Sequence, residues 1–204
     1  AFPWLSVREC FIGFAPATVM GVSFSGELAY EIHVPNASLY AAYQALREAG
    51  KEHGLQLFGA RAVDSMRMEK GFLHWKADLI TEFDPFETGL ERFVKMEKGD
   101  FIGKPALQAR AVDGKRKQLV ALNIGCSHAP AHGGASLMEG DMVVGTVTSG
   151  DWGHRVGMNL AYAFVEPRLA APGSRMMLDL CGDLVNAEVI PAGPYDPEHA
   201  RIRS

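Results

Sequence analysis

An α+β layer over residues 1–112 followed by a small all-β barrel or sandwich over residues 113–204 is the fold this sequence predicts, and three observations carry it. Thr18 to Val34 shows the alternation and turn residues of a β-hairpin. Two stretches with apolar residues at helical spacing follow, Leu39 to Gly50 and Ala60 to Lys70. Beyond the polar, glycine-containing "VDGKRK" the chain turns strand-like and nearly helix-free, and the domain boundary is placed there.

In the hairpin, Val19 to Ser23 reads as extended chain, Ser25 and Gly26 as the reversal, and Tyr30 to Val34 as the second strand. Tyr30, Ile32 and Val34 alternate with Glu31 and His33, so Glu31 points away from the face the other three would bury. A carboxylate so placed is either a solvated surface group or the wall of a pocket. In the second case its two acceptor oxygens suit a flat heterocycle with adjacent N–H donors, such as a pterin or a purine.

"PNAS" then starts a helix with Asn36 as N-cap. Leu39, Ala42, Tyr43, Leu46 and Ala49 form its apolar stripe, Gly50 is expected to end it, and the amphipathic helix is expected to pack on the sheet. A second helix ends at Gly71. Its Asp64 and Arg67 are read as a surface pair worth a few tenths of a kcal/mol, with Val63, Met66 and the Lys70 stem on the core side. Turns are marked by Asp84-Pro85 and Lys98-Gly99-Asp100, and a short helix opens near Lys104-Pro105. Lys115, Arg116 and Lys117 read as a solvated turn. Strand candidates after the boundary are Leu119–Ile124, Met142–Thr148, Leu160–Val165, Met176–Leu180 and Val185–Ile190, the last two joined by a tight "CGD" turn.

Composition limits the functions available. With 48% hydrophobic and 22% charged residues in 204, the chain is an ordinary globular protein with enough length for a core. A formal net charge of −4 supplies no basic face for nucleic acid. No apolar run approaches the roughly 20 residues that span a bilayer, and no membrane partner is expected. Three scattered cysteines, Cys10, Cys126 and Cys181, and the lack of a signal-like start favour a reducing, cytoplasmic setting. The chain opens at Ala1 and enters "PWLSVRE" as if in mid-domain, which leads us to expect a fragment of a longer protein.

Several motifs invite chemistry and decline it. Cys126, His128 and His132 lie in "CSHAPAHGG", a proline- and glycine-containing loop with no second ligand cluster, so no metal site is expected. "SGDWGHR", Ser149 to Arg155, is glycine-rich but lacks the strand-to-helix context and the Lys-Ser/Thr ending of a phosphate loop. No GxGxxG fingerprint and no GxSxG elbow occur.

Four blocks in order, "SFSGELAYEIHVP", "ARAVDSMRMEKGF", "DPFETGLERFVKMEKGDFIGKPAL" and "GTVTSGDWGHRVGMNLAYAFVEP", resemble the aminomethyltransferase family typified by the glycine-cleavage T-protein. The resemblance runs from about Trp4 to the end. Through "MRMEKGF" and "PYDPEHARIRS" it is strongest to the folate-binding C-terminal regions of dimethylglycine and sarcosine dehydrogenases or oxidases. It implies the C-terminal half of a folate-binding domain, an antiparallel sheet with helices on one face, followed by the barrel. It also implies tetrahydrofolate as cofactor, a methylated or aminomethylated amine as substrate, and a flavin domain upstream in dehydrogenase-like members.

Carried over by position, Glu31 resembles the carboxylate that hydrogen-bonds the pterin. Phe24 stands where the T-protein has a tyrosine, keeping the stacking face and losing the hydroxyl. The arginine before "DSLR" in the T-protein is Val63 here, while Arg61 lies two positions earlier, as in the dehydrogenase-like members. Phe72 and Trp75 fall in the segment that flanks the folate. "TSG" in the last block matches the barrel loop near the folate entrance. The aspartate that activates the folate nitrogen belongs to the half of the domain that no block matches, so no catalytic residue is assigned and the chain alone is expected to be catalytically silent. Glu27 is read as a turn or strand-end residue. A non-catalytic binding or scaffold module is the rival reading, favoured by the changes at Phe24 and Val63.

Overall fold

The computed structural model describes residues 2–203. Strands β1 (Val7–Ile12), β2 (Ala15–Met20) and β3 (Glu31–His33) form an antiparallel sheet in that order, with helix α1 (Leu39–Gly50) against β1 and β2. Helices α2 (Ala60–Lys70) and α3 (Lys104–Asp113) follow. Strands β4 (Gln118–Ile124), β5 (Ser136–Glu139), β6 (Met142–Gly153), β7 (Met158–Val165), β8 (Arg175–Leu180) and β9 (Asp183–Ile190) close a barrel in the order β4-β7-β6-β5-β8-β9. The α+β layer and the all-β barrel are thus both present.

The barrel works by alternation. Leu122, Ile124, Leu137, Val144, Ala163, Val165 and Leu178 fill its interior, while the outward-facing Ala121, Leu160 and Tyr162 pack on Met68 of α2. Each large apolar side chain so buried contributes about 1.5–3 kcal/mol. Between β8 and β9, Cys181 and Gly182 both have positive φ, 56° and 99°, as a type I′ hairpin demands.

Several expectations need correction. The hairpin pairs β2 with β3, Met20 opposite Glu31, across an irregular connection over 21–30 instead of a two-residue reversal. Asn36 does not cap α1: it begins a 3-10 turn, Asn36–Ser38, and no side chain caps either element. Gly50 does not end the helical run, which continues through Lys51–His53 to Gly54 at φ 68°. The stripe of α1 buries only Ala42. Tyr43 and Leu46 instead line an open apolar groove with Leu57, Phe58 and the side chains of Tyr30 and Ile32, which are 45% and 37% exposed rather than core.

Helix α2 departs furthest from expectation. Arg67 is not a surface residue: it is buried with Ser65, Met68, Glu69 and Lys70. Its Nη1 donates to Oδ2 of Asp78 at 2.6 Å, and its Nε reaches Asp64 at 3.3 Å. Asp78 is fully buried and accepts three further hydrogen bonds, from the His74 N–H at 2.8 Å, Thr148 Oγ1 at 2.5 Å and Ser149 Oγ at 2.6 Å. The last two donors belong to β6, so one carboxylate joins α2, the turn after it and the barrel. Met66 lies in the apolar groove, not in the core beside the Lys70 stem.

A second buried carboxylate pins the connection into β4. Glu87 accepts from Arg116 Nε at 3.0 Å and Nη2 at 2.9 Å, and from the backbone N–H groups of Asp84, Arg116 and Lys117. Arg116 is therefore no freely solvated turn residue. Burial alone would push the Glu87 carboxyl up, but the Arg116 guanidinium and those backbone donors together hold it down at about 2.

Replacing Asp78 by alanine strands the Arg67 charge, and a loss of about 3–5 kcal/mol in unfolding free energy is expected by denaturant titration; a loss below about 1 kcal/mol contradicts this account of the pair. The Glu87 contribution has a definite sign. Its folded pKa lies below the ordinary 4.5, so its stabilisation is complete above about pH 4.5 and disappears as pH falls towards 2. Denaturation midpoints between pH 6 and pH 2 should fall more steeply for the wild type than for Glu87→Gln, and parallel curves would refute the assignment.

Candidate functional site

The connection over 21–30 and the turn after α2 bring two aromatic faces together. Gly71 closes α2 at φ 80°, its N–H and that of Phe72 returning to the carbonyls of Met68 and Arg67. Arg67 Nη1 also donates to the Phe72 carbonyl at 3.3 Å, which fixes where the Phe72 ring emerges. Phe24 lies nearly parallel to Phe72, with an interplanar angle of 10° and centroids 6.4 Å apart, and His74 is tilted against Phe24 at the same separation. Phe24 and Phe72 stand at a cavity of about 520 Å³ whose other walls include Leu79, Phe93, Tyr162 and Arg92. Burial pushes the Tyr162 hydroxyl well above the ordinary tyrosine range, and that hydroxyl donates to the Met68 carbonyl at 3.1 Å. It is a neutral structural donor, not an acid–base group.

The five residues singled out from the sequence are not gathered in one place. Phe24 and Phe72 share this cavity. Glu31 is not among its lining residues: it stands on the open face of the three-stranded sheet, its side chain 56% exposed and its Oε2 3.4 Å from His33 Nε2. Its direction away from Tyr30 and Ile32 is as the alternation implied. Arg61 sits exposed in the first turn of α2. Trp75 is 63% exposed and forms an isolated bridge with Leu79.

"SGDWGHR" is a strand end rather than a loop. Ser149 to Gly153 belong to β6 and pair with Tyr162 to Met158 of β7. Gly150 is there because a Cβ would lie 2.5 Å from the Ala131 carbonyl oxygen, a close-packing demand unrelated to phosphate. Cys126 Sγ is 3.5 Å from His128 Nδ1, and Cys181 Sγ is 3.5 Å from His132 Nε2. Among the described residues no group of three or more His, Cys, Asp or Glu could hold a metal ion.

A charged cluster beside the Phe24 segment escaped sequence reasoning. Arg155 Nη1 donates to Glu27 Oε1 at 2.6 Å, Nη2 to the carbonyls of Ser25 at 3.1 Å and Met66 at 2.9 Å, and Nε to Glu69. The Tyr195 hydroxyl donates to the same Glu27 oxygen at 2.6 Å. Glu27 is thus a network hub, not a simple turn residue. It stands 128 positions from Arg155 and 168 from Tyr195, separations that no local pattern signals.

Aromatic faces stack a flat ring, and an exposed carboxylate accepts from its N–H edge. Here the two stand apart, Phe24 and Phe72 at the cavity and Glu31 on the sheet. In comparison with known proteins, residues 1–98 match the GCVT N-terminal domain and residues 117–196 the glycine cleavage T-protein C-terminal barrel domain. The mitochondrial dimethylglycine dehydrogenase of Mus musculus is 32% identical over all of this chain and 24% of its own length. The mitochondrial sarcosine dehydrogenase of the same species is 34% identical over 89% of this chain and 21% of its own. The aminomethyltransferase of Saccharopolyspora erythraea is 36% identical over 91% of this chain and 53% of its own. This chain therefore spans between a fifth and about half of those relatives. The crystal structure of the glycine cleavage system aminomethyltransferase T from Bartonella henselae superposes with a TM-score of 0.80 at 23% identity, covering 89% of this chain and 50% of that one, which shows a shared fold.

Proposed function

The chain belongs to the glycine cleavage T-protein family, and from that premise we propose that it supplies part of the wall of a tetrahydrofolate site used in one-carbon transfer from a methylated or aminomethylated amine. The observation that carries this reading is the nearly parallel pair Phe24 and Phe72 lining one cavity. Glu31, exposed on β3, is a carboxylate available for a heterocycle's N–H edge. The residues fit the cofactor's chemistry: a flat ring for the phenylalanines and N–H donors for the carboxylate. When bound, tetrahydrofolate would supply the nitrogens that receive the carbon unit. This chain's own part is positioning: Phe24 and Phe72 offer faces for a ring plane beside the apolar wall at Leu79, while Glu31, on the sheet outside that cavity, offers a separate acceptor to the same ligand. None of its residues is assigned a proton-transfer step.

Similarity along nearly the whole chain to dimethylglycine and sarcosine dehydrogenases favours one form of this reading. In it a flavin-bearing unit oxidises the amine and this part receives the formaldehyde equivalent. The phenylalanine at position 24 and the valine at position 63 favour instead a module that binds without catalysis.

Calorimetric titration with 5-formyltetrahydrofolate tests the folate wall. Saturable binding is expected, weakened roughly tenfold or more in Glu31→Gln, because a charge-assisted hydrogen bond contributes about 1.5–3 kcal/mol. Phe24→Ala should weaken it by a comparable factor through lost stacking. No saturable binding by the protein at its natural length would overturn the folate reading and leave the scaffold role.

A further inference from the structure

The Phe24 wall is not carried by regular structure. Over 21–30 the backbone has no ladder among the described residues, and it is linked to the preceding sheet segment at Gly21, whose N–H and carbonyl pair with Ser6 and Leu5. What holds Ser25 to Glu27 comes from three distant places. Helix α2 lies beneath: Gly26, at φ 80°, sits so close to the Lys70 stem that a Cβ would lie 2.9 Å from its Cδ. The β6–β7 turn contributes Arg155, and the C-terminal segment contributes Tyr195. Lys70 Nζ is fully buried and donates to Asp196 Oδ2 at 2.8 Å, and the Tyr195 N–H donates to the Glu69 carbonyl at 3.0 Å, so that segment is itself clamped to α2.

Arg155 is the member that touches all of these. Its guanidinium engages Glu69 and the Met66 carbonyl of α2 and the Ser25 carbonyl and Glu27 carboxylate of the connection, while its Cζ lies 3.7 Å from the centre of the Tyr195 ring. Its own N–H adds a bond to Glu69 Oε1 at 2.5 Å. Burial pushes the Glu27 carboxyl up, but the Tyr195 hydroxyl and Arg155 outweigh it, so Glu27 stays an ionised acceptor for both. No lysine could reproduce this set, because one ammonium cannot fork to two carboxylates and two carbonyls while stacking on a ring.

We propose that Arg155, with Glu27 and Tyr195, is the positioning residue for the Phe24 wall. The two aromatic faces then hang from two different guanidinium groups: Phe72 by its carbonyl on Arg67, and Phe24 through its neighbour Ser25 on Arg155. The parallel register of the rings depends on both. The consequence for ligand affinity rests on the folate reading above; the positioning does not.

Hydrogen exchange and ligand titration separate the two. Arg155→Lys and the milder Tyr195→Phe, which removes only the hydroxyl on Glu27, are compared with the wild type by exchange mass spectrometry. Both should speed exchange at least tenfold in peptides covering 23–27 while β4 and β8 keep wild-type protection, and Glu27→Gln should act in the same direction. If the wild type binds 5-formyltetrahydrofolate, both variants should weaken it about tenfold with a circular-dichroism spectrum unchanged. Unaltered exchange over 23–27 in Arg155→Lys and Tyr195→Phe overturns the proposal whatever the ligand does. Faster exchange there with ligand affinity intact also overturns it, since the wall would then not need positioning. A wild type that binds no folate sinks the folate reading alone, and the exchange arm still decides the role of Arg155.

Discussion

Three charged side chains on one turn of α2, Arg67, Glu69 and Lys70, are buried, and the rest of the structure depends on how they are paired. Each is costly in a low-dielectric interior unless a partner of opposite charge and further hydrogen bonds surround it. The partners come from three segments: Asp78 from the turn after the helix, Arg155 from the barrel, and Asp196 from the C-terminal segment. Met68 between them supplies the apolar contact with Ala121, Leu160 and Tyr162 on the barrel's outer face. A half-made network of this kind is worse than an apolar one, so the helix has a single acceptable seat.

That seat places the aromatic wall. Phe72 follows directly from the C-cap of α2, and Phe24 reaches it from a connection with little structure of its own. The sheet beyond contributes Glu31 on an open face and, on the other side, the apolar groove beneath Tyr30 and Ile32. Rigid elements thus carry a site whose working surfaces are loops, as is common for binding sites. The family's name for the second part is a barrel, and the closed six-strand order seen here agrees with it.

What was legible in the sequence was what alternation and punctuation encode. The spans of α1 and α2 could be read from apolar spacing, and the end of α2 from Gly71 with its left-handed cap, although burial does not follow the stripes: α1 buries only Ala42, and Met66 of α2 lines the groove. The strands around the barrel showed their apolar residues in order. Strand β5 did not, since four residues reading "SLME" carry too little pattern, and β1 did not, since "VRECFI" is largely exposed along its length. Phe24 and Phe72 were legible as candidates through their matching blocks. Their convergence on one cavity was not, nor was the separation of Glu31, Arg61 and Trp75 from it. Arg67 and Glu27 were misjudged for one reason: a charge next to a turn or on a helix looks solvated until its partner is known, and their partners are set by tertiary contact.

The central functional claim is that the cavity walled by Phe24 and Phe72 is where the folate ring is held. A co-crystal structure of this protein with 5-formyltetrahydrofolate tests it most directly. The account predicts the pterin plane in the cavity against Phe24 and Phe72. Density for the ligand elsewhere, with Phe24 and Phe72 both untouched, would contradict it.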